Sequence, residues 1–297
     1  MINGTSPKTD YLDRFIFDEL PIRGERVILE HSWQELLLRR SYPDNVKKLL
    51  GELMATTALL SATIKIEGKL TVQVQAKGAL DLLVVQISHL KGVRAVARFD
   101  KEGIAGLEGL KELCGEGHIV ITIDAPTFKE PYQGVIPLID NSIKEAIERY
   151  FATSEQLETT LYLATSDQAA AGMLLQRLPG EMPDEAAFNR VNHLAATMQD
   201  EELLELPTKE LLYRLYSEDD IRVFEPDSYH FECTCSKERT LSMIYQLNLD
   251  EVKSILAEQE DALFVDCEFC GKRYLFKESD LDFSLFKSEA SESGASD

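Results

Sequence analysis

The chain has 297 residues, 44% of them hydrophobic, which is more than one small module needs and points to two domains, or one domain with an appendage. Its formal net charge is −21, from 52 acidic against 31 basic residues, a field that repels polyphosphates and argues against a nucleic-acid partner. No run approaches the roughly 18 consecutive apolar residues of a membrane span, and residues 1–13 lack the basic-then-apolar design of a signal peptide, so a cytoplasmic chain with no membrane partner is expected.

Residues 1–178 read as mixed helix and strand. Residues 10–16 mix charged and apolar types without a clear period, and 26–31 form a short strand. Pro43-Asp-Asn45 is a capping signal, and residues 46–66 carry Leu49, Leu50, Leu53, Met54, Ala58 and Leu60 at helical spacing, which predicts a long, buried helix. Gly68, Gly78 and Gly92 punctuate two apolar runs, 70–76 and 80–87, that suit strands. Residues 118–125 make the clearest strand of the chain. Residues 128–138 are rich in turn formers and read as a loop leading to a helix at 142–151. A strand follows at 159–164, and 169–176 fits helix or strand. Helices and strands without a repeating βα unit indicate an α+β layer fold.

At residues 178–184 two prolines and a glycine mark a boundary. Residues 179–231 then hold 13 acidic and 4 basic residues, interleaved with Phe188, Val191, Leu194, Leu203, Leu204, Leu211, Leu212 and Leu215. This spacing predicts three short helices at 184–199, 200–205 and 208–216. Helices so short are marginal alone, and like charges weaken them further. The segment is either a linker ordered only while something holds it or an ordinary helical subdomain. Residues 231–286 form a cysteine module, and 287–297 a polar, acidic tail unable to bury enough apolar area to order itself.

Four of the five cysteines stand in two close pairs, Cys233-Thr-Cys235 and Cys267-Glu-Phe-Cys270. Zn²⁺ takes four thiolates in a tetrahedron, and two converging pairs supply them, so one zinc per chain is expected on Cys233, Cys235, Cys267 and Cys270. The intervening residues 241–263 look helical and would bring the pairs together. Two structural disulfides are the other reading, and a reducing cytosol disfavours it. Gly271 would relieve the tight turn after Cys270. The Cys-x-Cys pair makes a tighter chelate than Cys-x-x-Cys and leaves two sulfurs able to close a small, strained, labile disulfide. Lys237, Arg239, Lys272 and Arg273 flank the pairs; they either stabilise the thiolates or are merely solvated. His230 is a bystander to a shell that four sulfurs complete. Because metal binding in so small a module is largely its folding energy, oxidation of the thiols would unfold it and loosen whatever relies on it. Cys114, alone in sequence, reads as a small buried apolar group.

The stretches Phe231-Glu-Cys-Thr-Cys-Ser-Lys-Glu-Arg239, Val265-Asp-Cys-Glu-Phe-Cys270 and Pro131-Tyr-Gln-Gly-Val-Ile-Pro137 resemble the bacterial 33 kDa heat-shock protein family of redox-regulated chaperones, over nearly the whole chain. The resemblance implies an N-terminal domain (1–178) built on a twisted β-sheet with helices, a metastable linker (179–230) and a zinc-binding redox-switch domain (231–286). It implies that the reduced, zinc-bound form is inactive. Oxidation would pair Cys233 with Cys235 and Cys267 with Cys270, free the metal and unfold the linker. The active form would then be a homodimer holding unfolding or oxidatively damaged client proteins without ATP; such a protein is not an enzyme.

Two other functions fit parts of the pattern. A thiol-disulfide oxidoreductase also uses Cys-x-x-Cys, but there the motif opens a helix in a βαβ setting, whereas here it precedes a short strand at 273–276. A zinc-ribbon nucleic-acid binder is opposed by the acidity of the chain. No Gly-rich phosphate loop supports an ATPase.

Overall fold

The structure is a computed structural model that describes residues 10–63, 67–180, 186–258 and 262–286. It divides into two units between Glu232 and Cys233. The polar tail at 287–297, the boundary residues 181–185 and the last turn of the helix expected at 46–66 lie outside the described residues.

The first unit begins with a hairpin, β1 (Asp10–Phe17) and β2 (Ile22–Leu29), followed by α1 (His31–Arg39) and the 20-residue α2 (Asp44–Thr63). The strands β3 (Lys69–Ala76), β4 (Leu80–Ser88) and β5 (Gly92–Phe99) form a meander, and the short α3 (Gly109–Cys114) leads into β6 (Gly117–Asp124) and β7 (Tyr132–Pro137). Helix α4 (Ile143–Tyr150) starts where Ser142 accepts the Glu145 N–H, an N-cap that fixes its first turn. A π-helical turn, Phe151–Glu155, then feeds the hairpin β8 (Thr159–Thr165) and β9 (Ala170–Arg177). Three short helices follow, α5 (Ala187–Ala195), α6 (Asp200–Glu205) and α7 (Thr208–Leu215), then the short strands β10 (Ile221–Val223), β11 (Asp227–Ser228) and β12 (His230–Phe231).

Two sheets result. One runs β10-β1-β2-β9-β8, with β11 also on the outer edge of β1; the other runs β12-β5-β4-β3-β6-β7, antiparallel except where β12 joins β5 in parallel. Helix α2 packs on both sheets, and its buried face (Leu49, Leu50, Leu53, Met54, Leu59, Leu60) forms the centre of the main core with Leu12, Val27 and Leu29 from one sheet and Val72, Val74 and Val85 from the other. The opposite face of the first sheet is also covered. There Phe15, Phe17, Ile22, Met173 and Leu175 pack against Phe188 and Val191 of α5, Leu203 of α6 and Leu211, Leu212 and Leu215 of α7.

This double coverage explains why residues 10–16 showed no period: Leu12 faces the main core while Phe15 and Phe17 face the acidic helices, so both sides of β1 are apolar. The stretch 169–176, open between helix and strand, is the strand β9, buried on both faces for the same reason. Residues 128–138 are corrected from a loop: six of them form the edge strand β7, with Pro131 just before it and Pro137 at its end. Edge strands tolerate proline because only one side of the ladder needs N–H donors. Strand β5 begins at Gly92, a glycine read as punctuation, where a Cβ would meet the Glu232 side chain.

The second unit holds α8 (Lys237–Ile244), α9 (Leu249–Glu258) and the hairpin β13 (Ala262–Asp266) and β14 (Arg273–Lys277). Its core is Ile244, Val252, Leu256, Leu263, Tyr274, Phe276, Leu281 and Phe286. The single helical stretch expected at 241–263 is two helices and the start of a strand, with 259–261 outside the described residues. The chain as a whole is α+β, as its mixed helices and strands indicated.

Candidate metal centre: four cysteines in the second unit

Each cysteine pair owes its position to a local structure. Cys233 and Cys235 lie on an irregular stretch that ends at Ser236, the N-cap of α8, whose hydroxyl accepts the Arg239 N–H at 3.2 Å. In an extended chain residues i and i+2 project to the same side, so a Cys-x-Cys ahead of a capped helix presents both sulfurs together. Cys267 and Cys270 occupy the turn of the β13–β14 hairpin. There the Gly271 N–H donates to the Cys267 carbonyl at 2.8 Å, and the Cys267 N–H to the Lys272 carbonyl at 2.9 Å. Gly271 has φ +68°, a left-handed conformation in which glycine carries no Cβ penalty.

The four sulfurs converge: all lie within 4.8 Å of one another. Cys233 Sγ is 3.7 Å from Cys267 Sγ, and Cys235 Sγ is 3.4 Å from Cys270 Sγ. Zinc–thiolate bonds of about 2.3 Å in a tetrahedron set neighbouring sulfurs roughly 3.8 Å apart. A disulfide needs about 2.05 Å. The spacing therefore fits four thiolates around one metal ion, with the two pairs interleaved. All four residues are half-buried, which suits ligands shielded from bulk water yet within reach of small oxidants.

The sulfurs are not equivalent. Burial raises the Cys233 thiol, and burial raises Cys270 to about 12. At Cys235 burial pushes the same way but is outweighed by hydrogen bonds from the Tyr274 hydroxyl, the largest, and from the other three thiols, bringing it down to about 7. The Tyr274 hydroxyl donates to Cys235 Sγ at 3.1 Å. Tyr274 lies on β14, its ring buried in the core of the unit, and was not singled out in the sequence; the signal available was an aromatic carrying a hydroxyl four residues beyond Cys270.

The flanking cations have partners of their own. Lys237 pairs with Asp280 at 3.2 Å, and Arg273 grips Asp266 at 2.7 and 2.8 Å. Arg239 donates to the Thr234 carbonyl at 2.7 Å, and the Lys272 ammonium lies 5.0 Å from the centre of the Tyr274 ring. At Cys235 the side-chain donor outside the cluster is a neutral hydroxyl and not the charged end of any of these cations. Cys114, at the end of α3, is fully buried in the main core, and burial pushes its thiol up to about 12.

The sequence profile of the family described as "Hsp33 protein" matches residues 10–277. The chain is 43% identical over 276 residues to the 33 kDa chaperonin of Neisseria meningitidis serogroup A, covering 93% of this chain and 91% of that protein. It is 42% identical over 278 residues to the 33 kDa chaperonin of Shewanella loihica, covering 94% and 96%. Its fold is similar to the crystal structure of the 33 kDa chaperonin (heat shock protein 33 homolog) of Thermotoga maritima, with a TM-score of 0.76 at 21% identity over 93% of this chain and 97% of that one. With its four sulfurs converging in the second unit, and with relatives at this identity along almost its full length, the chain belongs to the Hsp33 family.

Proposed function

We propose that this chain is a redox-regulated, ATP-independent chaperone, a holdase that keeps unfolding proteins from aggregating once its cysteine centre is oxidised. The observation that carries the reading is the convergence of Cys233, Cys235, Cys267 and Cys270 in a unit whose own apolar core is small. The names of the relatives, 33 kDa chaperonins, supply the activity.

Zinc bound by the four thiolates would contribute folding free energy that a core of this size lacks. Peroxide takes two electrons from the Cys233 and Cys235 thiolates and two protons from solvent, forming their disulfide and two waters; a second equivalent does the same for Cys267 and Cys270. The thiolates are the nucleophiles that attack peroxide. With both pairs closed no thiolate remains to bind metal, and the second unit loses its main support. Release of α5–α7 would bare Phe15, Phe17, Met173 and Leu175, an apolar surface of the kind that holds unfolded chains. Dimer formation in the oxidised state and residence in the cytoplasm belong to the same reading.

The test is to follow zinc content, free thiols and client aggregation together during peroxide treatment at raised temperature. One zinc released per chain, four thiols lost and protection gained in parallel are expected. Protection equally strong before oxidation rules out the switch. A thiol-disulfide oxidoreductase would instead turn over insulin disulfides.

A further inference from the structure

Arg26, on β2, is fully buried, yet the charge that balances it is not in direct contact with it. Its antiparallel neighbour on β1 is Asp13, itself buried, and among the described residues the two form no ion pair. The Thr208 hydroxyl joins them: it accepts from Arg26 Nη1 at 2.9 Å and donates to Asp13 Oδ2 at 2.5 Å. The same Nη1 reaches the Tyr11 hydroxyl at 3.3 Å, while Nη2 donates to the carbonyls of Leu203 and Leu206, both at 2.7 Å.

Those two carbonyls lie in the last turn of α6 and at the residue that follows it. In a continuing helix the Leu203 carbonyl would accept the N–H of residue 207, but Pro207 has none. The sheet supplies the missing donor from below, at the negative end of α6. Three of the five guanidinium N–H groups go to Thr208, Leu203 and Leu206, a fourth to Tyr11 on β1, and the fifth, on Nε, finds no partner among the described residues. The docking face of the acidic helices is thus an apolar layer with a charged fastening at Arg26.

We propose that Arg26, with Asp13 and Thr208, is the latch that positions the α6–α7 turn on the sheet and sets how readily the acidic helices come free. This rests on the reading in which those helices are released on activation. A buried guanidinium and carboxylate give up hydration that they recover when the helices lift, so the charged pair holds the turn in one register while favouring departure more than an apolar contact would. Removing one member strands the other in the dry interface. Replacing all three with apolar side chains of similar size removes the desolvation cost and keeps the helices down.

The experiment uses full-length, reduced, zinc-loaded protein and trypsin, which can cut the segment at Arg190, Lys209, Arg214 and Arg222. Thr208→Val, nearly isosteric, is expected to be cut there on the order of tenfold faster than wild type, with zinc and thiols unchanged. Arg26→Met should do the same. Leu59→Ala, on the buried face of α2 in the main core, is the control: it lowers the melting temperature without selective cutting at those four sites. The triple variant Asp13→Leu, Arg26→Met, Thr208→Val should be cut no faster than wild type, and after peroxide more slowly. Wild-type cutting of Thr208→Val, or a triple variant that opens like the single ones, overturns the latch. Failure of oxidised wild type to protect a client would instead overturn the chaperone reading, and the cleavage comparison in the reduced state would still stand.

Discussion

The hydroxyl of Tyr274 gives Cys235 a hydrogen bond from within the core of the second unit, and groups behind a ligand set its basicity as much as the ligand itself does. Tyr274→Phe keeps the ring and deletes the donor. It is expected to weaken zinc binding about 10-fold, measured by competition with a chromogenic chelator; unchanged affinity would remove Tyr274 from the site. Cys114→Ser should leave zinc release and thiol loss at the other four positions as they are, since that thiol is buried in the first unit and held far from ionisation. Oxidant-insensitive zinc in this variant would contradict that. Glu25, on β2, is a different case: burial raises its carboxyl from about 4.5 to about 7, and one of its oxygens has no hydrogen-bond partner. The fold therefore favours the protonated form. That contribution is complete below about pH 4.5 and is lost as pH rises through 7. Glu25→Gln, neutral throughout, should stabilise the protein by a few kcal/mol, roughly, at pH 8 and by little at pH 5 in urea titrations; an equal effect at both values would disprove the shift.

Among the elements, those with a strong apolar signal within their own segment were readable. Helix α2 carries its apolar residues at 3.6 spacing, the acidic stretch resolved into α5, α6 and α7 near the expected places, and β6 stands where residues 118–125 pointed. Strands β1, β5 and β7 were not readable, because the first is covered on both faces, the second opens on a glycine and the third lies on an edge bounded by prolines. Gly24 shows how a single position shapes an element. The Phe15 ring lies across it on the neighbouring strand, where any Cβ would collide with ring carbons. Gly24→Ala must push that ring into α5–α7, and a loss on the order of 1–3 kcal/mol in urea unfolding is expected. A neutral result would mean that the ring has room to move.

For the molecule as a whole, the division at Glu232 separates two kinds of stability. Among the described residues, the first unit has two extensive apolar cores and two sheets; the second has a core of eight buried apolar side chains and four sulfurs. Stripping metal with a chelator under reducing conditions is expected to abolish amide-exchange protection in α8 and α9 while β3, β4 and β6 keep theirs. Protection in α8 and α9 that survives metal removal would show that the second unit folds without it.

The four ligand candidates, the α+β class and the acidic helical segment could be read from the chain alone, because each is a local signal: a spacing of cysteines, a period of apolar residues, a run of like charge. The convergence of Cys233 and Cys235 with Cys267 and Cys270 required the path of the hairpin and two helices between them. The contact of Tyr274 with Cys235 and of Arg26 with the α6–α7 turn were decided only in three dimensions. Both join residues 39 and about 180 positions apart, and neither hydrogen bond leaves any trace in the periodicity of its own segment.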